Sequence, residues 1–362
     1  MAQRERSIVH RSVLLVVIAA VTACGGGDDD GNDSGDTGDT GDNGGADAGV
    51  IGDPNCGQPD LVGTSGDCEE PPCLGVPEYG FQVRSVGTTI QPAQDVEYCE
   101  VVQLPGDPSD TYYVNGFDSE MTIGSHHLIV VAIEPGSETE QNAQVGDRVE
   151  CITPDSAGWG GDVYEVTGQQ VPYHEDTFPD GVGRVYHGGQ KVIFDYHYLN
   201  ASDEPIQARA AVNFYTAEES CVERIAESAG FYFFGIDVDP GDTASYTREC
   251  TFSQDVMVHR LSRHTHKWGT DFPVEFAGGE RDGDLIYTSP NYEDPDYTFD
   301  EPVLVRAGEG FRWTCNYVND TDPPHTLRFG PNATDEMCIL FSLIYSPDGR
   351  EIPGEEGCAL YL

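Results

Sequence analysis

Short apolar runs separated by Gly, Pro, Asp and Asn recur along the chain, at 128–133, 191–199, 209–215, 231–238, 256–261, 303–305 and 337–345. Runs of this length, rich in Val, Ile, Phe and Tyr and bounded by turn formers, predict strands. Long helical periodicity is absent, and only 217–227 has the makings of a short helix. Many short strands at even spacing predict an all-β chain of antiparallel sandwiches with Greek-key or jelly-roll connections. About 290 residues follow position 70, enough for two domains of ordinary size. We place them at 71–228 and 229–362.

The N-terminal residues do not fit this pattern. Arg4, Arg6 and Arg11 precede an apolar run at 13–21, and Val21-Thr22-Ala23-Cys24 fits a lipobox. The run is too short to span a bilayer and reads as a processing segment. Residues 1–23 are therefore expected to be a bacterial lipoprotein signal peptide, with Cys24 lipidated and the chain exported and anchored to the cell envelope, at the outer membrane. Residues 24–70 are rich in Gly and Asp and poor in apolar side chains, which predicts a solvated, self-repelling tether. The Asp run lacks the ligand order and closing glutamate of a calcium loop.

Charge narrows the partners. The formal net charge is -46, and from residue 71 onward 50 acidic face 15 basic side chains, with Lys191 and Lys267 the only lysines. Such a field disfavours nucleic acid and anionic membrane surfaces, so membrane contact is expected only through the lipid anchor. It suits a saline setting, capture of metal cations, or simple solubility. Of the eleven cysteines, ten remain once Cys24 is set aside, an even number that predicts disulfides in an exported protein. Thiolate metal sites are then not expected.

The candidate chemistry lies in the histidines. His264-Thr265-His266 places two imidazoles on one face of a strand, because residues i and i+2 project together. The thioether of Met337, in Asp335-Glu336-Met337-Cys338, adds a soft donor that selects copper. Upstream lie the pair His126-His127, ahead of an apolar run, and His197 in Phe194-Asp195-Tyr196-His197-Tyr198. Neighbours in a regular strand point to opposite faces, so both members of the pair reach one metal only where the strand bends, and Gly124 and Ser125 offer that freedom. His174, His187, His259 and His325 are read as structural or surface residues.

The ordered set His-His, His-Tyr in an apolar strand, His-Thr-His and Glu-Met-Cys resembles the copper type II, ascorbate-dependent monooxygenases, the group of the peptidylglycine alpha-hydroxylating and dopamine beta-monooxygenases. The resemblance covers roughly residues 75–362 and extends to Phe178-Pro179-Asp180-Gly181-Val182-Gly183 and Thr314-Cys315-Asn316-Tyr317-Val318-Asn319. It implies two copper ions per chain. His126, His127 and His197 would hold an electron-storing copper. His264, His266 and Met337 would hold the oxygen-activating copper, across a solvent-filled cleft between the two sandwiches. It implies hydroxylation of a substrate C–H bond with O2 and ascorbate or another external electron donor. It further implies the disulfides Cys315–Cys338, Cys250–Cys358 and Cys99–Cys151; elimination then leaves Cys73–Cys221 and Cys56–Cys68.

Strand alternation from Met337 puts Ile339 and Phe341 on the face of the metal and turns Cys338 and Leu340 away. Ile339 and Phe341 would give the substrate pocket apolar walls. In the peptide-amidating branch of the family these positions are polar, and an arginine lies two residues before the His-X-His. Here that position is Ser262, and Arg263 falls on the opposite face of the strand. The expected substrate is a small apolar or aromatic molecule, with Arg260 a candidate anion contact. The competing expectations are a copper-scavenging surface lipoprotein without turnover and an idle surface module.

Overall fold

The strand at Lys191–Leu199 shows how the sequence builds the fold. Val192, Phe194, Tyr196 and Tyr198 alternate into a buried apolar core, while Ile193, Asp195 and His197 point to the opposite face. The computed structural model describes residues 51–65, 68–151, 154, 157–159, 162–290, 292, 295–330, 334–350 and 352. The signal peptide, Cys24, the tether up to residue 50 and Cys358 lie outside them.

Two face-to-face sheets make the first sandwich. One runs in the order Arg148–Glu150, Asp95–Gln103, Lys191–Leu199, Ser125–Ile133, Val163–Gln169. The other runs Gly80–Arg84, Ala210–Ala217, Thr111–Met121, Val182–His187. The core between them includes Phe117, Phe194, Tyr196 and Phe214, all without solvent exposure. Removing such side chains from water stabilises the fold by about 1.5–3 kcal/mol each. The second sandwich pairs Arg224–Tyr232, Ile339–Tyr345, Val256–His264 and Asp296–Val305 against Thr243–Thr251, Gly310–Val318, Phe272–Ala277 and Leu285–Ser289. Its core holds Phe231, Phe272, Phe311, Trp313 and Leu340. The predicted all-β, disulfide-stapled double sandwich is the observed one.

The sandwiches share a sheet. Strands Val182–His187 and Arg224–Tyr232 pair in parallel, Arg224 opposite Val182 and Ile225 opposite Gly183, giving, with Tyr173–Thr177 paired to Thr111–Met121, one nine-stranded sheet through both halves. The boundary drawn at 228/229 falls inside the strand Arg224–Tyr232, whose Ala226 packs in the first core and whose Phe231 packs in the second. Strand Ile339–Tyr345 divides likewise, Leu340 and Ile344 facing the second core and Leu343 and Tyr345 the first.

Three expectations change. The helix predicted at 217–227 is absent: Ala217 still pairs with Tyr113, a single turn spans Glu219–Cys221, and Arg224 begins the next strand. Pairing with two neighbouring strands overrides a weak local helical preference. The segment expected to end a free tether at 70 is docked well before that. Asp53 bridges Ala217, the Val62 N–H donates to Tyr215 Oη at 2.9 Å, and Asn115 donates to the Gly57 carbonyl at 3.1 Å. The cysteine pairs left by elimination are the third change. The bonds are Cys56–Cys221 and Cys68–Cys73, because docking of 51–65 carries Cys56 to the turn that holds Cys221. Cys99–Cys151 and Cys315–Cys338 pair as expected, and Cys250 is disulfide-bonded.

Candidate metal centre

The first histidine set is assembled by a β-bulge. In the pairing of Lys191–Leu199 with Ser125–Ile133, His197 is opposite His127 and Tyr198 is opposite Ser125, so His126 is the extra residue. The bulge turns both neighbours toward one spot. Gly124 opens it at φ +93°, and a Cβ there would come within 2.3 Å of Ile206. His126, His127 and His197 bring one ring nitrogen each within 4.8 Å of one another. This face of the sheet is the one turned away from the first core.

Carboxylates fix the rings. Asp95 Oδ1 lies 2.5 Å from His197 Nε2, and Glu97 Oε1 lies 3.1 Å from His127 Nε2. Each contact leaves Nδ1 to face inward. His197 Nδ1 is buried without a hydrogen-bond partner, and the Nδ1 atoms of His126 and His127 stand 3.2 Å apart. An orphaned buried ring nitrogen beside two others, two of the three rings oriented by an acid behind them, is a donor set that fits a metal ion. Behind Glu97 lies Asp195, hydrogen-bonded to it; burial raises the pKa of Glu97 and drives that of Asp195 well above the carboxylate range. Asp95, Glu97 and Asp195 were not singled out in the sequence. The alternation Asp95-x-Glu97 on a strand carried the available signal.

The second set lies at the end of strand Val256–His264. Its own bulge, at His259, sets Arg260, Ser262 and His264 facing the first sandwich, while Leu261 packs in the second core. Arg263 is fully buried and donates to the carbonyls of Thr270 at 3.1 Å and Ser289 at 2.8 Å. It therefore braces the loop and takes no part in a pocket, in line with the opposite-face reading. A Cβ at Gly269 would come within 2.3 Å of Thr265 and 2.8 Å of Arg263, so only glycine lets this loop close.

His264 is opposite Ile339 in the pairing with strand Ile339–Tyr345, where the ladder ends, and Met337 lies two residues before that strand. Glu336 ties the two segments together, one carboxylate oxygen accepting from the His266 N–H at 2.9 Å and the Met337 N–H at 3.2 Å. His266 Nδ1 donates to the Asp335 carbonyl at 2.9 Å, which leaves its Nε2 free. Burial, reinforced by neighbouring imidazoles, lowers the pKa of His126 and of His127 to about 3 and that of His264 well below the usual range. Burial also takes His266 to about 4. Neutral imidazole is the form a metal binds.

The two sets abut. Ring centroids of His126 and His266 are 6.4 Å apart, and those of His127 and His264 are 6.5 Å apart. A small pocket, with a cavity volume of about 50 Å³, opens beside His127 and His264. Its walls carry Phe341, Ile129 and Pro295 on the apolar side and Glu165, Asp296 and Arg260 on the polar side. Phe341 lies where alternation put it, 6.4 Å from His264 by ring centroids. Ile339 is buried and does not line the pocket. Arg260 is no free anion contact, because Asp176 holds it at 2.8 Å with both side chains buried.

No family model and no curated protein matches the chain. Among solved structures it is similar to PNGF-II at 9% identity, with a TM-score of 0.30, covering 76% of this chain and 66% of that one, just under two thirds of its length. It is also similar to the major capsid protein P2 from Bacteriophage PM2, at 10% identity and a TM-score of 0.23, covering 70% of this chain and 100% of that one.

The remaining histidines among the described residues serve the frame. His259 Nε2 donates to the Thr177 carbonyl at 2.8 Å, His174 lies 3.6 Å from Asp296, and His325 bonds main-chain carbonyls of its own loop. His187 pairs with Thr111 at a strand end.

Proposed function

We propose that the protein is a copper-dependent monooxygenase that hydroxylates a C–H bond of a small substrate, using O2 and an external reductant such as ascorbate. Two copper ions per chain would be held, one by His126, His127 and His197 and the other by His264, His266 and Met337. Bound copper supplies one-electron redox chemistry and oxygen activation. The observation that carries the reading is the convergence of five imidazoles from distant parts of the chain beside a pocket, four buried and His126 half-buried, with Met337 tied to the His266 segment through Glu336.

The chain's own contribution is positioning. Asp95 and Glu97 orient two rings, the Asp335 carbonyl orients a third, and Phe341 gives the pocket an apolar wall beside His264. Glu165, Asp176 and Asp296 surround the single guanidinium of Arg260, so the pocket is net negative and disfavours anionic substrates. A neutral or cationic molecule with an apolar or aromatic portion suits these walls. Under this reading the lipobox at Cys24 would anchor the enzyme to the bacterial cell envelope.

Copper stoichiometry on purified protein, with His264→Ala and Met337→Ile variants, tests the proposal. Two coppers in the parent, with ascorbate-driven oxygen consumption that both variants lose, is the expected result. Two coppers without reductant-driven turnover across a panel of small aromatics would overturn it in favour of a copper-binding lipoprotein.

A further inference from the structure

We infer that the two histidine sets hold their metals as one magnetically coupled pair, in a gap that the fold keeps closed. The inference rests on the copper reading above and changes the picture of two independent centres facing each other across solvent. Within the first set, ring centroids are 5.4, 4.9 and 5.2 Å apart, and within the second 5.4 Å. Across the gap they are 6.4 and 6.5 Å apart. The five imidazoles thus form one assembly, with little more separation between sets than inside them.

The closure is built into the frame. A solvent cleft would require the sandwiches to part, yet they share a sheet through the parallel pair of Arg224 and Ile225 with Val182 and Gly183. Leu343, Tyr345 and Ala226 are buried in the first core although their strands belong to the second sandwich. Arg260 of the second half is locked to Asp176 of the first, His259 bonds the Thr177 carbonyl, and Arg184 donates to Ser228 Oγ at 3.1 Å. Separating a buried ion pair leaves uncompensated charge in the interior, a cost of about 3–5 kcal/mol. Parting the halves would also expose the apolar side chains that bridge them.

Electron paramagnetic resonance of the Cu(II)-loaded protein reads the coupling directly, because dipolar interaction falls as the cube of separation. The expected spectrum is broadened and has a half-field transition. The His264→Ala/His266→Ala double variant should bind one copper and give a narrow signal without that line. Two coppers per parent chain with a narrow signal and no half-field line would overturn the coupling and leave the oxygenase reading standing. Fewer than two coppers per parent chain would overturn both. A double variant that holds one copper yet keeps the broadened parent spectrum would overturn the coupling, since the broadening would then have another origin.

Discussion

Removing the Glu336 carboxylate should loosen the second histidine set and cost measurable stability. Glu336 has no solvent exposure, and its two oxygens accept three main-chain N–H groups, from His266 at 2.9 Å, Met337 at 3.2 Å and Trp268 at 2.8 Å. Glu336→Ala strands all three donors, and each buried donor left without a partner costs about 1–3 kcal/mol. The lower end of that range, appropriate where the loop relaxes or water enters, gives a loss of about 3 kcal/mol. Glu336→Gln keeps one accepting oxygen and turns an amide NH2 toward N–H groups, so one or two donors are stranded and the loss is about 1–3 kcal/mol. Urea unfolding of the metal-free proteins at pH 8 reads both values. Copper content after dialysis reads the site: the Ala variant should keep the ion of the first set and lose that of the second, because Glu336 is what ties Met337 to the His266 loop. An Ala variant within about 0.5 kcal/mol of the parent, the spread of ordinary surface changes, or one that loses the first-set copper instead, would refute this account.

Met337→Ile should lower bound copper from two ions to one while leaving metal-free stability nearly unchanged, as measured by metal analysis and urea unfolding. Arg260→Met leaves Asp176 buried without its partner, and its urea midpoint should reflect a loss of about 3–5 kcal/mol, whereas the double change Arg260→Met/Asp176→Leu should recover most of it. Opening the Cys56–Cys221 bond, which closes a separation of 165 residues, should cost up to about 5 kcal/mol on the chain-entropy argument and free residues 51–65 to proteolysis; a Cys56→Ser/Cys221→Ser protein of parent stability would contradict it. Acid should destabilise the metal-free protein most steeply between pH 4.5 and 3. His126 and His127 are held neutral to about 3 in the native state but titrate near 6.5 when unfolded. The unfolded chain therefore binds more protons, and stability falls with falling pH by about 1.4 kcal/mol per unit for each ring. Above pH 4.5 the buried carboxyls of Glu97 and Glu336, whose raised values favour the native state as pH falls, oppose that loss. Unfolding midpoints equal at pH 4.5 and 3 would exclude the buried neutral rings.

The sequence by itself determined the class of fold and singled out the histidines that the structure brings together. Alternation of Val192, Phe194, Tyr196 and Tyr198 against Asp195 and His197 is a property of the strand alone, and it sends His197 to the face away from the core. The same local rule put Arg263 inside the second sandwich and Phe341 beside His264. Three things waited on tertiary structure. Whether His126 joins His127 depends on a bulge set by the partner strand's register. The acids that orient the rings, Asp95, Glu97 and the main chain at Asp335, come from segments whose neighbours no local pattern reveals. The helix expected at 217–227 became a turn and a strand, because long-range pairing and the bond to Cys56 decide that segment. The separation of the two sets was likewise not legible in either strand, since it is fixed by how strands from both halves enter one sheet and one core.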